Sequence, residues 1–147
     1  MDKLISVVIP NYNCAPYLDK CLDSVTKQTY SNIEIVVCDN ASTDDSVEIL
    51  NKWAEKDDRI RVLTTEINQG GLRCYNRLFK EAKGEYIMIQ DSDDWCSPER
   101  VAKQAEVLDT HEVGCCMTNS VYYYDHSEPE YPEQPGSGVV TINTYED

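Results

Sequence analysis

The run Leu4-Ile5-Ser6-Val7-Val8-Ile9, followed by Pro10-Asn11-Tyr12-Asn13, decides how the rest of the chain reads. It is short, rich in β-branched residues and polar only at Ser6, the pattern of a strand buried on both faces, and Pro10 is expected to end it. From Pro16 onward, Tyr17, Leu18, Cys21, Leu22 and Val25 recur at helical spacing, with the proline in the first turn. The alternation then repeats. Residues 33–38 (IEIVVC) predict a second strand, and Ser42 with Asp45 offers a capping box ahead of a helix facing inward through Val47, Leu50 and Ala54. Residues 60–64 (IRVLT) predict a third strand, followed by a helical stripe of Leu72, Tyr75, Phe79 and Ala82 that Gly84 ends. Residues 85–90 (EYIMIQ) predict a fourth strand. Ser97-Pro98 is a cap for a helix carrying Val101, Ala105 and Leu108. Residues 113–117 (VGCCM) predict a fifth strand, and Val121 to Tyr124 an extended stretch. Strands alternating with helices of this length make βαβ units, so the expected fold is α/β: a three-layer α/β/α sandwich around a mostly parallel, Rossmann-like sheet.

The core is expected over residues 1–124. Residues 125–138 (DHSEPEYPEQPGSG) carry three prolines, two glycines and no Lys or Arg, which predicts an acidic loop; a short run, Val139 to Ile142, opens a last region over 139–147. The 147 residues are 41% hydrophobic and 27% charged with only 6 Gly and 6 Pro, which excludes collagen-like and wholly disordered classes. No apolar run approaches the ~20 residues that span a bilayer, and no leader pattern opens the chain, so a cytoplasmic protein without a transmembrane segment is expected. Thirteen Lys and Arg stand against 27 Asp and Glu, a formal net charge of -14, which argues against a nucleic-acid polymer as partner. An anionic small ligand then needs a cation between itself and the protein. The seven cysteines form no Cys-x-x-Cys pair and, with two histidines, no zinc spacing; buried or partly buried reduced thiols are expected.

In an open α/β sheet, ligands bind beyond the carboxyl ends of the strands. Those ends carry Pro10 to Asn13, Asp39 to Ser42, Glu66 to Gly71, and Asp91-Ser92-Asp93-Asp94. The first turn lacks the Gly-x-Gly-x-x-Gly of dinucleotide sites and no phosphate loop appears, which disfavours a dehydrogenase or a P-loop enzyme. In the Asp91–Asp94 run, two carboxylates about 5 Å apart repel by about 3 kcal/mol at an effective dielectric of 20. A divalent cation relieves that, and oxygen-only ligands suit Mg²⁺ or Mn²⁺; the competing reading is a capped, solvated turn. Asp39 at a strand end suits a base imide or ribose hydroxyl, and equally an Asx turn. Asn68-Gln69-Gly70-Gly71 leads into a helix on which Arg73, Arg77 and Lys80 share a face, Arg73 standing nearest the turn; a solvated charged face is the alternative.

In this order, Ser6 to Asn13, Cys38 to Asp44, Asn68 to Gly70, Gly84 to Ile87 and Asp91 to Asp94 resemble family-two glycosyltransferases with the GT-A fold, from about residue 4 to at least residue 110. The resemblance implies a nucleotide-diphospho-sugar donor, usually a UDP-sugar, and inverting transfer to an acceptor hydroxyl. By position, Pro10, Tyr12 and Asn13 would line the base pocket and Asp39 would hold the uracil or ribose edge. Asn68, Gly70, Arg73 and Ser92 would complete donor binding. Asp93, with Asp91 and Asp94, would hold Mn²⁺ or Mg²⁺. The base that takes the acceptor proton belongs, in that family, to an acceptor-side half expected beyond Asp147, so no catalytic residue is assigned, Glu146 and Asp147 included. A non-catalytic nucleotide-sugar-binding module is the alternative; a nucleotidyl transferase would need a glycine-rich first turn, where this chain has Pro10-Asn11-Tyr12-Asn13.

Overall fold

A computed structural model describes residues 3–111 and 113–118. Four parallel strands alternate with four helices: β1 (Ile5–Asn11), α1 (Ala15–Thr26), β2 (Ile33–Asp39), α2 (Ser46–Lys56), β3 (Ile60–Thr64), α3 (Gly71–Glu81), β4 (Tyr86–Ile89) and α4 (Arg100–Thr110). The strand order is β3-β2-β1-β4. The chain winds outward from β1 through β2 to β3, then returns to the opposite side of β1, which puts the topological switch point between β1 and β4.

Two apolar clusters cover the two faces of the sheet. Leu18, Leu22 and Val25 of α1, Leu50 of α2, and Val101 and Ala105 of α4 pack with Val7, Ile9, Ile35 and Val37 on one face. Cys74 and Leu78 of α3 pack with Val8, Val36 and Cys38 on the other. The three-layer α/β/α arrangement is therefore as expected, and each fully buried Leu or Ile stabilises it by about 1.5–3 kcal/mol.

Several local expectations are corrected. Pro10 does not end β1, which runs to Asn11. Asn40 N–H donates to the Asn11 carbonyl at 2.9 Å and Gln90 N–H to the Val8 carbonyl at 3.1 Å, so Pro10 turns its missing N–H toward β4, whose pairing with β1 stops at Val8↔Ile89. No ladder bond is lost there. The capping box at Ser42 does not form: α2 begins at Ser46, and the Ser42 hydroxyl donates to Asp39 instead. The α4 cap moves from Ser97 to Glu99, without a side-chain bond.

The buried stripe of α3 is Cys74 and Leu78, while Leu72 is 83% exposed and Phe79 also faces solvent. The helix is thus turned by one residue, about 100°, from the face its large apolar residues indicate. Residues 113–117 are not a strand; Gln104 Nε2 of α4 donates to the Cys116 carbonyl at 3.0 Å, so this segment is tied to a helix. Cys115 is exposed, against the expectation for the cysteines, whereas Cys21, Cys38, Cys74 and Cys96 are buried, Cys14 and Cys116 are partly so, and all seven are reduced. The expected extended stretch at 121–124, the loop 125–138 and the run 139–147 lie outside the described residues. Among the described residues, no helix is long and apolar enough to cross a membrane.

Candidate functional site

The carboxyl ends of β1 and β2 are bound to each other before any ligand is considered. Asp39, 1% exposed, accepts from Asn11 Nδ2 at 2.7 Å and Ser42 Oγ at 2.5 Å on Oδ1, and from Ser42 N–H at 3.0 Å on Oδ2. A carboxylate has about four acceptor positions, so one remains, on Oδ2. Asn13 and Ala41 adopt left-handed φ values of 53° and 62°. That conformation is tolerable for Asn and strained for Ala, so surrounding bonds must hold it. Asn13 N–H donates to Ser42 Oγ at 2.9 Å, and Thr43 N–H to Asn13 Oδ1 at 2.8 Å. Asp44 joins two helix starts, accepting from Ala15 N–H at 2.9 Å and Ser46 N–H at 3.0 Å. Burial opposes its charge, but these bonds win and hold its carboxyl below the usual range.

Next to this knot, a cavity of about 350 Å³ opens between the ends of β1 and β2 and the start of α3. Pro10, Tyr12, Asn68 and Gly70 line it as the sequence indicates; Asn11, Asn40, Gly71 and Cys74 join them. Most of the amide groups in this wall are bonded within the protein, but Asn11 Oδ1 is buried without a hydrogen-bond partner and is an acceptor left for a ligand donor. Asn40 fixes the turn before α3: its Nδ2 donates to Asn68 Oδ1 at 2.9 Å, and its Oδ1 accepts from Gln69 N–H at 2.9 Å. Gly70 has φ 82°, a conformation natural to glycine, and lets α3 start against the cavity. Cys74 forms part of the wall; its thiol donates to the Cys38 carbonyl at 3.4 Å. The adjoining Cys74 thiol lowers the Cys38 thiol to about 7, while Cys38 and burial push the Cys74 thiol up. Asn13, Asp39 and Arg73 are not in the lining: Asn13 and Asp39 hold the adjoining turns, and Arg73 is exposed on the first turn of α3. Arg77 binds the Thr64 carbonyl at 2.8 Å, at the end of β3.

The acidic run lies across β1, after β4. Asp94 N–H donates to the Asp91 carbonyl at 3.2 Å, closing a turn over Asp91–Asp94. Asp91, Asp93 and Asp94 are exposed; Ser92 is buried, 4% exposed, so the turn faces solvent with carboxylates and not with the serine expected to touch the donor. Burial, then the charges of Asp93 and Asp91, raise the Asp94 carboxyl above its usual range. Among the described residues, no lysine or arginine lies within ion-pairing distance of the three. Nor do three Asp, Glu, His or Cys side chains converge into a cage there. The Arg100 charge offsets only part of this repulsion at Asp94, and hard oxygen donors so placed fit a divalent ion that takes one or two protein carboxylates and leaves its other positions to phosphate and water. From behind, α1 grips the turn: Cys21 donates to the Asp91 carbonyl at 3.5 Å, Lys20 lies 3.7 Å from the centre of the Trp95 ring, and Gln28 bonds Ser97 and Val101. Tyr75 reaches it from the front, its hydroxyl 2.8 Å from Asp91 Oδ1. Apolar periodicity files Tyr75 as core, and no sequence signal marks this contact.

A parallel α/β sheet with a cavity and an acidic turn flanking its switch point has the arrangement in which open α/β folds bind small ligands. Residues 6–144 match glycosyl transferase family 2, and the chain belongs to that family. It is 39% identical over 131 residues to the glycosyltransferase GlyG of Streptococcus pneumoniae, covering 89% of this chain and 43% of GlyG. It is 37% identical over 123 residues to Escherichia coli WfaP, a UDP-Glc:alpha-D-GlcNAc-diphosphoundecaprenol beta-1,3-glucosyltransferase, covering 84% of this chain and 47% of WfaP. The structure superposes on S. aureus TarS 1–349 in complex with UDP-GlcNAc with a TM-score of 0.68 at 34% identity, covering 73% of this chain and 31% of that one. On the mannosyltransferase PcManGT from Pyrobaculum calidifontis, in complex with GDP-Man and Mn²⁺, the TM-score is 0.71 at 29% identity, covering 76% and 34%. The chain thus spans less than half the length of GlyG and WfaP, and its fold is that of the GT-A glycosyltransferases.

Proposed function

We propose that this chain is the donor-binding part of a glycosyltransferase that uses a UDP-sugar and a divalent ion, Mn²⁺ or Mg²⁺, in inverting transfer to an acceptor hydroxyl. The observation that carries this reading is that an amide-lined cavity and an exposed acidic turn without a direct ion pair lie at the same edge of the sheet. The base enters the cavity, with Pro10 and Tyr12 against its faces and Asn11, Asn40 and Asn68 at its edge. The free acceptor position on Asp39 Oδ2 takes an imide N–H or ribose hydroxyl at the cavity's border. Asp93 and Asp91 would hold the ion, with Asp94 beside them, and the ion supplies charge neutralisation for the departing diphosphate. Arg73, exposed at the start of α3, adds a second cation toward that charge. No described residue is assigned to take the acceptor proton. The diphosphoundecaprenol-linked GlcNAc on which WfaP acts supports a lipid-linked saccharide as the class of acceptor.

The test is calorimetric titration of UDP with and without MnCl₂ on the whole chain, repeated with Asp93→Ala. Binding that strengthens at least tenfold with the metal, and loses that gain in the variant, is expected. Metal-independent binding unchanged by the substitution would reject the assignment.

A further inference from the structure

We propose that Tyr75 is a positioning residue for the acidic turn: its hydroxyl holds one oxygen of Asp91 and leaves the other presented to the donor and its ion. This rests on the reading of the turn given above. The main chain of Asp91 is secured on several sides. Its carbonyl accepts from the Cys21 thiol at 3.5 Å, from Asp94 N–H at 3.2 Å and from Gln90 Nε2 at 3.1 Å. Its exposed carboxylate is free to rotate about two side-chain bonds, and the Tyr75 hydroxyl is what fixes it, by a charge-assisted bond of 2.8 Å from Oη to Oδ1.

The hydroxyl is held in turn. Tyr75 is partly buried, and its ring packs on Phe79 with centroids 5.9 Å apart. A phenol is protonated at neutral pH and donates this bond. The same rotation of α3 that leaves Leu72 in solvent puts Cys74 into the cavity wall and the neighbouring Tyr75 against Asp91. One helix turn, started by Gly70, therefore links the cavity to the acidic turn. A carboxylate with one oxygen occupied offers the other as a single-oxygen ligand. Freeing it restores rotational freedom that binding must then remove.

The experiment is a double-mutant cycle on the whole chain with UDP as titrant in MnCl₂, comparing the parent, Tyr75→Phe, Asp91→Asn and the double variant. Tyr75→Phe removes one oxygen from a partly exposed ring and leaves its packing on Phe79, so folding is preserved; thermal unfolding confirms this. Tyr75→Phe is expected to weaken UDP binding about five- to tenfold with an unchanged unfolding midpoint, as for loss of a bond to a charged group. In the Asp91→Asn background it is expected to add no more than about twofold, because the carboxylate it positions is gone. That non-additivity is a readout a merely structural tyrosine would not produce. If Asp91→Asn weakens binding while Tyr75→Phe leaves it unchanged or tightens it, or if the two losses multiply, the Tyr75 assignment is overturned and the acidic turn keeps its role. If Asp91→Asn itself binds UDP and Mn²⁺ like the parent, the turn's role falls and the Tyr75 assignment falls with it.

Discussion

The strand ends on either side of β1 carry aspartates, and they are built in opposite ways. At the end of β2, Asp39 is buried and three of its acceptor positions are taken by Asn11 and Ser42. At the end of β4, Asp91, Asp93 and Asp94 are exposed, repel one another, and meet no ion-paired cation among the described residues. A carboxylate whose bonds are internal sets backbone geometry; one whose charge is left unanswered is available to a ligand. The cavity lies beside the first, and the ion proposed above would be held at the second, at the same sheet edge.

The largest effect is expected at the closed end. Asp39→Ala leaves the Asn11 amide and two Ser42 donors without their acceptor in a buried place, a loss of about 3 kcal/mol in urea unfolding. A variant as stable as the parent would end the contrast. Asp93→Ala is the opposite case. It should cost more than tenfold in Mn²⁺-dependent UDP affinity, about 1.4 kcal/mol or more, while the unfolding midpoint stays level or rises as repulsion is relieved. A clear fall in stability would place Asp93 with Asp39. Ser42→Ala removes a hydroxyl that bonds both Asp39 and Asn13 N–H, and about 1 kcal/mol is expected, with weaker UDP binding following from looser turns.

The smallest effect concerns acid. Asp44 is held below the usual carboxylate range by Ser46 and Ala15, so its folded form favours the charged state. Its contribution is fully present above the unfolded value, about pH 4, and fades as pH falls through its lower folded value. Asp44→Asn should therefore flatten the acid limb of the stability profile below about pH 4. An unaltered limb would show that the two helix starts do not depend on that charge.

Much of this was legible from side-chain pattern. The runs at 4–9, 33–38 and 60–64 are strands, Cys21, Leu22 and Val25 do face the core, and the polar clusters do stand at one edge of the sheet. The failures share a cause. Ser42 and Asp45 satisfy a capping motif, but Asp39 is a stronger acceptor for the Ser42 hydroxyl than a backbone N–H site is a donor to it, and Asp39 is brought there by β2. Leu72 and Phe79 outweigh Cys74 on any hydropathy scale, yet Gly70 and Asn40 fix where α3 starts and so which face it buries. Ser92 reads as a ligand in a row of ligands; a four-residue turn puts it inside.

Residue order alone determined the class of fold, because strand and helix periodicities are properties of neighbours in the chain. It also determined that polar clusters lie beyond the strand ends, where they interrupt those periods. Which aspartates are spent on the fold and which are left for a ligand was decided only by tertiary structure. Asn11 meets Asp39 across 28 positions and Tyr75 meets Asp91 across 16, and hydrogen bonds at such separations exist only once the sheet has brought the segments together.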